Sequence, residues 1–298
     1  METLPLKYRI VRAIVKKEEN LKWIPDPLYL RLRYLFVMKK VLHLKNPVTY
    51  NEKLQWLKLN DRKDIYTTMV DKYEAKRFVS DRIGEEYIIP VLGVWNSFDE
   101  IDFESLPERF VLKCTHDSGG LVIVKDKSKL DLDSAKKKIE KCLKKNYYYC
   151  GREWPYKNVK PRILAEVYME DAKTSELRDY KFFCFNGKAK ALFVASERQK
   201  EDEETKFDFF DMEYNHLPIR NGHPNAEIPP EKPMNFDRMR ELAEILSEGI
   251  PHLRVDFYEV DGKIYFGELT FTHWNGMTPF EPEEWDETFG SWIELPIK

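Results

Sequence analysis

The 298-residue sequence has no apolar run long enough to cross a membrane. A membrane-spanning helix needs about 20 predominantly apolar residues. Lysines and arginines interrupt the first 22 residues, which lack the apolar core and the small-residue cleavage site of a signal peptide. We therefore expect a cytoplasmic protein.

Cysteine is scarce, and other catalytic signatures are missing. The four cysteines form no C-x-x-C pair, and no histidine stands beside them at ligand spacing. This argues against a zinc site and favours reduced, structural thiols. The sequence also lacks internal repeats, low-complexity tracts and a G-x-S-x-G nucleophile elbow, so hydrolase chemistry has no support.

Charge is unevenly distributed along the chain. The net charge is −3, yet residues 7–45 hold eleven lysines and arginines against three acidic residues, which is 11 − 3 = +8. The remainder therefore carries −3 − 8 = −11. A basic segment beside an acidic body indicates an anionic partner, either lipid headgroups or an acidic glycan. The alternative is a solvated helical cap. No nucleic-acid-binding motif is present, so we expect no nucleic-acid partner.

The order of predicted elements indicates an α+β fold. Helices dominate residues 1–70, including a basic amphipathic helix over 28–44 and a capping box formed by Thr49 and Glu52. Short β-rich runs with turn residues between them follow, mixed with helices over 71–83, 134–145 and 236–248. Antiparallel hairpins with flanking helices favour α+β over a doubly wound sheet.

We predict three regions: a helical segment over 1–70, a first sub-domain over 71–160 and a second over 161–298. The residues after Phe280 are acidic and predict a surface tail.

The strongest local signal is a predicted hairpin over residues 254–270. Arg254 and Asp256 share one strand face, and Glu268 and Thr270 share a face of the next strand. A three-residue loop over 261–263 would set the two carboxylates opposite each other, whereas a two-residue turn would put them on opposite faces. Two carboxylates that close favour a cation such as Mg²⁺. An ordinary surface hairpin with ion pairs is the equally weighted alternative.

A second signal combines a lysine with glycines. Lys113 lies in an apolar strand, where it must reach solvent or an anion. Glycines soon follow it, and such a loop lets backbone N–H groups approach phosphate oxygens. The order is not that of a P-loop, and on its own an ordinary hairpin explains it better.

Two further signals are weak when taken alone. An apolar strand over 163–168 ends in acidic residues, which suits either a purine-binding edge or a plain strand terminus. Asp71 and Lys72 open a predicted helix, with Lys76 one turn on, where solvated lysines are the default.

In this order the four signals resemble the ATP-grasp superfamily, over about residues 71–278. The resemblance implies that Lys72 and Lys113 bind ATP phosphates, that a loop closes over them, that a hinge binds adenine, and that acids bind ribose and metal. The implied loop residues are His116, Ser118, Gly119 and Gly120. The implied hinge and ribose residues are Glu166, Val167, Met169, Asp179 and Lys181. The implied Mg²⁺ ligands are Asp256, Glu268 and Thr270. The family usually has asparagine where Thr270 stands, and a hydroxyl is a weaker ligand.

Residues 46–56, 179–188 and 267–273 resemble the TupA-like branch, which is linked to teichuronopeptide synthesis. That resemblance implies an ATP- and Mg²⁺-dependent carboxylate–amine ligase that acts through an acylphosphate. It would attach an amino acid to an acidic sugar in bacterial cell-surface polysaccharide biosynthesis. Arg254 would stabilise the transferred phosphoryl group, and His273 would accept the amine proton. The implied acceptor-facing residues are Thr272, Asn275 and Gly276.

Three alternatives stay open. One is a glycan kinase that uses the same ATP site, and another is a glycosyltransferase that holds a metal on a diphosphate sugar. The third is a scaffold without catalysis, to which Thr270 gives some weight.

Overall fold

The computed structural model describes residues 21–117, 119–172, 177–197 and 204–297. The first part of the basic segment, residues 7–20, and the predicted loop residue Ser118 lie outside the described residues.

The helices are α1 (Asp26–Val37), α2 (Tyr50–Asn60), α3 (Ile65–Val70), α4 (Glu74–Ile83), α5 (Leu132–Leu143), α6 (Tyr148–Gly151), α7 (Phe236–Leu246) and α8 (Glu284–Trp292). The strands are β1 (Val91–Trp95), β2 (Phe110–Cys114), β3 (Leu121–Val124), β4 (Ile163–Val167), β5 (Asp179–Phe185), β6 (Lys188–Ser196), β7 (Lys206–Phe210), β8 (His216–Leu217), β9 (His252–Val260) and β10 (Lys263–Thr270). None of the helices in the described ranges is long and apolar enough to span a bilayer.

Of two helix predictions, the capping box is confirmed and the basic helix is shorter than predicted. The capping box is confirmed, since the Glu52 N–H donates to Thr49 Oγ1 at 3.3 Å and the Thr49 N–H donates to Glu52 Oε2 at 3.4 Å. The helix predicted over 28–44 is shorter, because α1 ends at Val37 and Lys39 adopts a left-handed φ of 58°. Left-handed backbone cannot continue a right-handed helix.

The strands form two antiparallel sheets, so the α+β prediction is confirmed. One sheet has the order β1-β4-β2-β3, and the other has the order β10-β9-β5-β6-β7-β8. Every residue of β5 is buried. Phe182 packs on one face of this strand against the core with α3, α4 and α7, and Phe183 packs on the other with α2 and α8. A strand covered on both faces carries a continuous apolar run, as β5 does.

The region boundaries at 70/71 and 160/161 stay predictions. Two elements pack with the region on the other side of the second boundary. Strand β4 pairs with β1 and β2 in the four-stranded sheet, although it follows residue 160. Helix α4 packs in the core of the six-stranded sheet, although it precedes that boundary.

Of the two turn lengths that the sequence leaves open for the hairpin, the structure has the shorter one, yet the two carboxylates still pair. Val260 pairs with Lys263, so the turn is the two-residue Asp261-Gly262. A β-bulge at Gly267 then shifts the register, so that Glu268 pairs directly with Asp256. A Cβ on Gly267 would lie 3.0 Å from the backbone oxygen of Asp256, which explains a glycine there. The two-residue turn alone would put the two carboxylates on opposite faces of the sheet. The extra residue of the bulge reverses the alternation of the strand, so both carboxylates lie on the same face.

The surface tail predicted after Phe280 is also wrong. Helix α8 covers the six-stranded sheet, and its Phe289 is fully buried against Tyr50 and Phe185. Glu284 and Glu287 are exposed on its outer face, while Trp285, Phe289 and Trp292 recur at helical spacing and face the core.

Candidate active site

The bulged hairpin and strand β5 build a buried charge cluster. Arg254 pairs with Thr270 and Asp256 pairs with Glu268 across β9 and β10, while Lys181 of β5 pairs with Asp256 on the other side. Because paired residues on neighbouring strands share a face, the side chains converge. The sheet register therefore assembles this cluster from three strands.

Arg254 is the centre of the cluster. Its Nε donates to Asp256 Oδ1 at 2.7 Å, and its Nη2 donates to Asp256 Oδ2 at 2.7 Å. The same Nη2 lies 3.1 Å from Glu268 Oε1 and 3.0 Å from Thr270 Oγ1. This bidentate geometry with a fully buried carboxylate is the strong form of an arginine ion pair.

Lys181 is the second cation of the cluster. Its Nζ forms ion pairs with Asp179 Oδ1 at 3.0 Å and with Asp256 Oδ2. Burial lowers the pKa of Lys181, and the charge of Asp256 opposes that effect. Both oxygens of Asp256 are therefore held by cationic side chains.

Glu268 is more accessible than its cross-strand partner Asp256. Its side chain is 41% exposed, and its Oε1 accepts hydrogen bonds from Arg254 and from Thr270 Oγ1. Desolvation would raise the pKa of Glu268, but the charges of Lys181, Arg254, Lys72 and Lys113 lower it to about 2. Glu268 is therefore ionised at neutral pH.

These residues fit a divalent cation mainly through Glu268. Among the described residues no hydrogen bond engages Glu268 Oε2, whereas Asp256 would have to exchange Arg254 or Lys181 for a metal. Thr270 offers a neutral hydroxyl already hydrogen-bonded to Arg254. In the part of the chain that the structure describes, no three His, Cys, Asp or Glu side chains converge on one metal position. A metal ion here would need ligands from a bound nucleotide as well.

A second charged group lies on the four-stranded sheet. Lys113 Nζ forms an ion pair with Glu166 Oε2, and Lys76 Nζ lies 2.5 Å from Glu166 Oε1. Burial of the Glu166 carboxyl would raise its pKa, but the two lysines hold it below the usual range. Glu166, a predicted hinge residue, therefore holds two lysines through its side-chain carboxylate.

Of the other residues predicted to bind adenine and ribose, Val167 is held by a backbone contact. The Val167 N–H donates to the carbonyl oxygen of Pro90 at 3.2 Å, and Met169 follows the end of β4 in a half-buried position. Asp179 is buried and engaged by Lys181. Their predicted roles toward adenine and ribose stay predictions.

Lys72 and the glycine loop contact each other. The Lys72 N–H donates to the Thr115 carbonyl oxygen at 3.0 Å, and Lys72 Nζ donates to the Asp117 carbonyl oxygen. The Gly120 N–H donates to Asp117 Oδ1 at 3.0 Å, and Gly119 precedes it in the exposed part of the loop. The loop is therefore held beside Lys72.

The structure does not bring the His116 ring to this cleft. Its Nε2 lies 3.1 Å from the carbonyl oxygens of Cys142 and Lys145, at the end of α5, and the residue is buried. The Cys142 carbonyl oxygen also accepts the N–H of Lys145 at 2.9 Å, so the imidazole is a further partner of the carbonyl groups at this helix end.

Two cavities meet at this charge cluster. The first, of about 200 Å³, lies between the sheets and is lined by Lys72, Lys76, Lys113, Glu166, Asp179, Lys181 and Glu268 among others. The second, of about 580 Å³, is lined by Arg33, Lys72, Glu153, Lys181, Arg254, Glu268 and a set of aromatic residues. Lys72, Lys181 and Glu268 line both cavities. A larger cavity of about 870 Å³ lies apart, between β3 and α5.

Two of the three predicted acceptor-facing residues line a cavity, and the third does not. Thr272 and Asn275 line the larger of the two joined cavities, whereas Gly276 is buried beside α2 and does not line it. Thr272 Oγ1 donates to the buried Glu153 carboxylate.

His273 lines the same cavity, but its ring has no free nitrogen. Its Nδ1 accepts a hydrogen bond from Arg254 Nη1 at 2.7 Å, so its Nε2 carries the proton and donates to Asn221 Oδ1 at 2.9 Å. Burial and the charge of Arg254 lower the pKa of His273 well below its usual range. This arrangement leaves no lone pair for the predicted amine proton, so His273 positions Arg254 instead.

Several residues of the site were missed in the sequence. Lys76 is buried and ion-paired rather than solvated, and its position on a stripe with Val79 and Ile83 is the signal that could have revealed it. Lys58 and Glu153 are also buried beside the second cavity. Burial lowers the pKa of Lys58 and raises that of Glu153. No periodic signal marks Glu153, because it lies in a loop.

Comparison with known proteins identifies the sequence family. The family model described as TupA-like ATPgrasp matches residues 52–294. No curated protein matches the sequence.

Solved structures resemble the chain only at the level of the fold. The D-alanine–D-alanine ligase from Bacillus anthracis complexed with ATP has 15% identity and a TM-score of 0.40, over 68% of this chain and 54% of that chain. The corresponding ligase from Helicobacter pylori has 12% identity and a TM-score of 0.43, over 82% and 69%. The ATP-grasp ligase PsnB, complexed with a precursor variant, Mg and ADP, has 8% identity and a TM-score of 0.39, over 74% and 57%. The chain spans just over half the length of the first of these ligases.

Proposed function

Because the chain belongs to the TupA-like ATP-grasp family, we propose that it is an ATP- and Mg²⁺-dependent carboxylate–amine ligase. The proposed reaction attaches an amino acid to an acidic sugar in bacterial cell-surface polysaccharide biosynthesis. The observation that carries the proposal is the pair of joined cavities that share Lys72, Lys181 and Glu268.

The smaller cavity has the chemistry for a triphosphate. Lys72 and Lys113 supply positive charge, and Gly120 of the loop lines the same cavity. Glu268, with Asp256 and Thr270, would hold the metal ion, which would neutralise charge on the phosphates. Phosphoryl transfer depends mainly on positioning and charge stabilisation, so such a cavity needs no covalent catalyst.

The larger cavity suits the acceptor. Its wall combines cations with aromatic and hydroxyl side chains, which matches a ring bearing a carboxylate. In the first step an acceptor carboxylate oxygen bonds to the γ-phosphorus, and the bond from that phosphorus to the β–γ bridging oxygen breaks to release ADP. Arg254 stabilises the transferred charge at the junction of the cavities.

In the second step the amine nitrogen attacks the acyl carbon. A C–N bond forms, the acyl C–O bond breaks to release inorganic phosphate, and the departing phosphate takes up the proton that the amine loses. His273 has both nitrogens engaged and keeps Arg254 in place during this step.

Product analysis tests the proposal. We expect purified protein with ATP, Mg²⁺, a glucuronic-acid oligosaccharide and mixed amino acids to yield ADP, inorganic phosphate and an amide, identified by mass spectrometry. A phosphorylated sugar without free phosphate would instead indicate a glycan kinase. Consumption of a UDP-sugar without ATP turnover would indicate a glycosyltransferase, and no turnover at all would indicate a scaffold.

We also propose that the basic segment over 7–45 contacts an anionic membrane. Large apolar side chains of its described part are exposed, on helix α1 at Leu28 (49%) and Val37 (45%) and just before the helix at Trp23 (79%). Exposed apolar residues interleaved with lysines and arginines are typical of helices that lie on anionic bilayers.

Vesicle co-sedimentation tests this membrane contact. We expect binding to phosphatidylglycerol vesicles that weakens with added salt and with Trp23→Ala, because salt screens the charges and the substitution removes apolar area. Ile228→Ala, at another exposed site, is the control and is expected to bind like the wild type. Equal binding to phosphatidylcholine vesicles, or none to either, would favour a solvated cap.

A further inference from the structure

Three consecutive residues at the wall of the larger cavity adopt a left-handed backbone. Trp274, Asn275 and Gly276 have φ values of 48°, 61° and 59°. This conformation is disfavoured for residues with a Cβ, and it is rare for one as bulky as tryptophan. Such strain persists only where the surrounding structure imposes it, and it concentrates at ligand-binding sites.

Two side chains of helix α2 donate hydrogen bonds to the carbonyl oxygens of this turn. Gln55 Nε2 donates to the carbonyl oxygens of Asn275 at 2.9 Å and Gly276 at 2.8 Å. Lys58 Nζ donates to the Asn275 carbonyl oxygen at 2.7 Å and to the carbonyl oxygen of Gly151 at 3.0 Å. Both α2 side chains are buried, so the hydrogen bonds are shielded from water.

Two glycines leave space for the turn. A Cβ on Gly222 would lie 2.9 Å from the indole Nε1 of Trp274, and a Cβ on Gly151 would lie 1.6 Å from Asn275 Oδ1. Any larger residue at either position would displace the side chain beside it. The surroundings therefore fix where Trp274 and Asn275 lie.

The result is a half-exposed indole at the cavity wall. The Trp274 side chain lines the cavity, and its ring is inclined at 28° to that of Phe207, with centroids 6.2 Å apart. The cations Lys72, Lys181 and Arg254 line the same cavity. A cavity lined by both an aromatic surface and fixed cations matches a molecule with an apolar ring face and a carboxylate.

We propose that Trp274 is the stacking platform for the sugar ring of the acceptor, and that Gln55 and Lys58 position it. This inference rests on the proposed function for the class of acceptor. The C–H face of a pyranose ring packs on the indole, while the sugar carboxylate reaches the cations at the junction with the nucleotide cavity.

Calorimetric binding of methyl β-D-glucuronide tests the platform. We expect Trp274→Ala to weaken this binding about tenfold, because ring stacking on the indole is lost, and Trp274→Phe to retain most of it. D-Gluconate carries a carboxylate but no ring, so its binding is expected to be the same with and without the indole. ATP binding is expected to stay unchanged in both variants.

Gln55→Leu tests the positioning role. Releasing the turn is expected to weaken glucuronide binding about as much as Trp274→Ala, with ATP binding unchanged, whereas a merely structural role would weaken both. Trp23→Ala is the control for loss of an exposed indole elsewhere. Unchanged glucuronide binding in Trp274→Ala would overturn this inference alone. Absence of ATP binding in the wild type would overturn the proposed function.

Discussion

Replacing Glu268 by glutamine is expected to lower ATP turnover at least about a hundredfold, the scale of losing one transition-state charge interaction. Glutamine keeps the size of the side chain and its contact with Arg254, but it removes the negative charge. The charges of four cationic side chains lower the pKa of Glu268 to about 2, so the native side chain is ionised throughout the working pH range. A neutral amide would not attract a divalent cation in the same way.

The fold is expected to survive this substitution. The Glu268 side chain is 41% exposed, and a glutamine oxygen can still accept the hydrogen bonds from Arg254 and Thr270. ADP release by a coupled assay gives the turnover, and circular dichroism reports the fold. The matched control is Glu248→Gln, at an exposed position after α7, which is expected to leave turnover unchanged. Wild-type turnover in Glu268→Gln would remove Glu268 from the catalytic site.

Replacing Arg254 by methionine is expected to lower the free energy of unfolding by about 3–5 kcal/mol, the typical result of removing one partner from a buried ion pair. Asp256 is fully buried and would keep only Lys181 as a cationic partner. Thr270 Oγ1 and His273 Nδ1 would each lose their hydrogen-bond donor. The loss of packing by the guanidinium adds to these effects.

Urea denaturation measures this change. The control is Arg238→Met, which breaks an exposed pair with Glu241 and is expected to change stability by less than about 0.5 kcal/mol. A change of the same small size in Arg254→Met would contradict the central position of Arg254 in the charge cluster.

The hairpin shows how far the sequence predicts the site. Alternation along β9 and β10 correctly placed Arg254 with Asp256 and Glu268 with Thr270. The turn length did not follow from alternation, and the bulge that restores the register depends on a close approach of Gly267 to another strand. A single glycine in a strand pattern indicates such a bulge, but its direction is set by tertiary packing.

Other parts of the site depend on contacts that no local pattern contains. Lys76 looks like a solvated helix lysine until β4 brings Glu166 beside it. The left-handed turn at Trp274 follows from hydrogen bonds to a helix more than 200 residues away in the chain. Local propensity opposes a tryptophan in that conformation, so only the assembled fold explains it.

Isothermal titration with ATP in the presence of Mg²⁺ tests the central claim most directly, namely that one nucleotide binds between Lys113 and Glu268. We predict saturable binding to the wild type that is weakened about tenfold or more in Lys113→Met, because a charge-assisted contact to phosphate is lost. Lys129→Met, at an 80% exposed position, is expected to bind ATP like the wild type. Saturable binding of UDP-glucuronate without any binding of ATP would contradict the account.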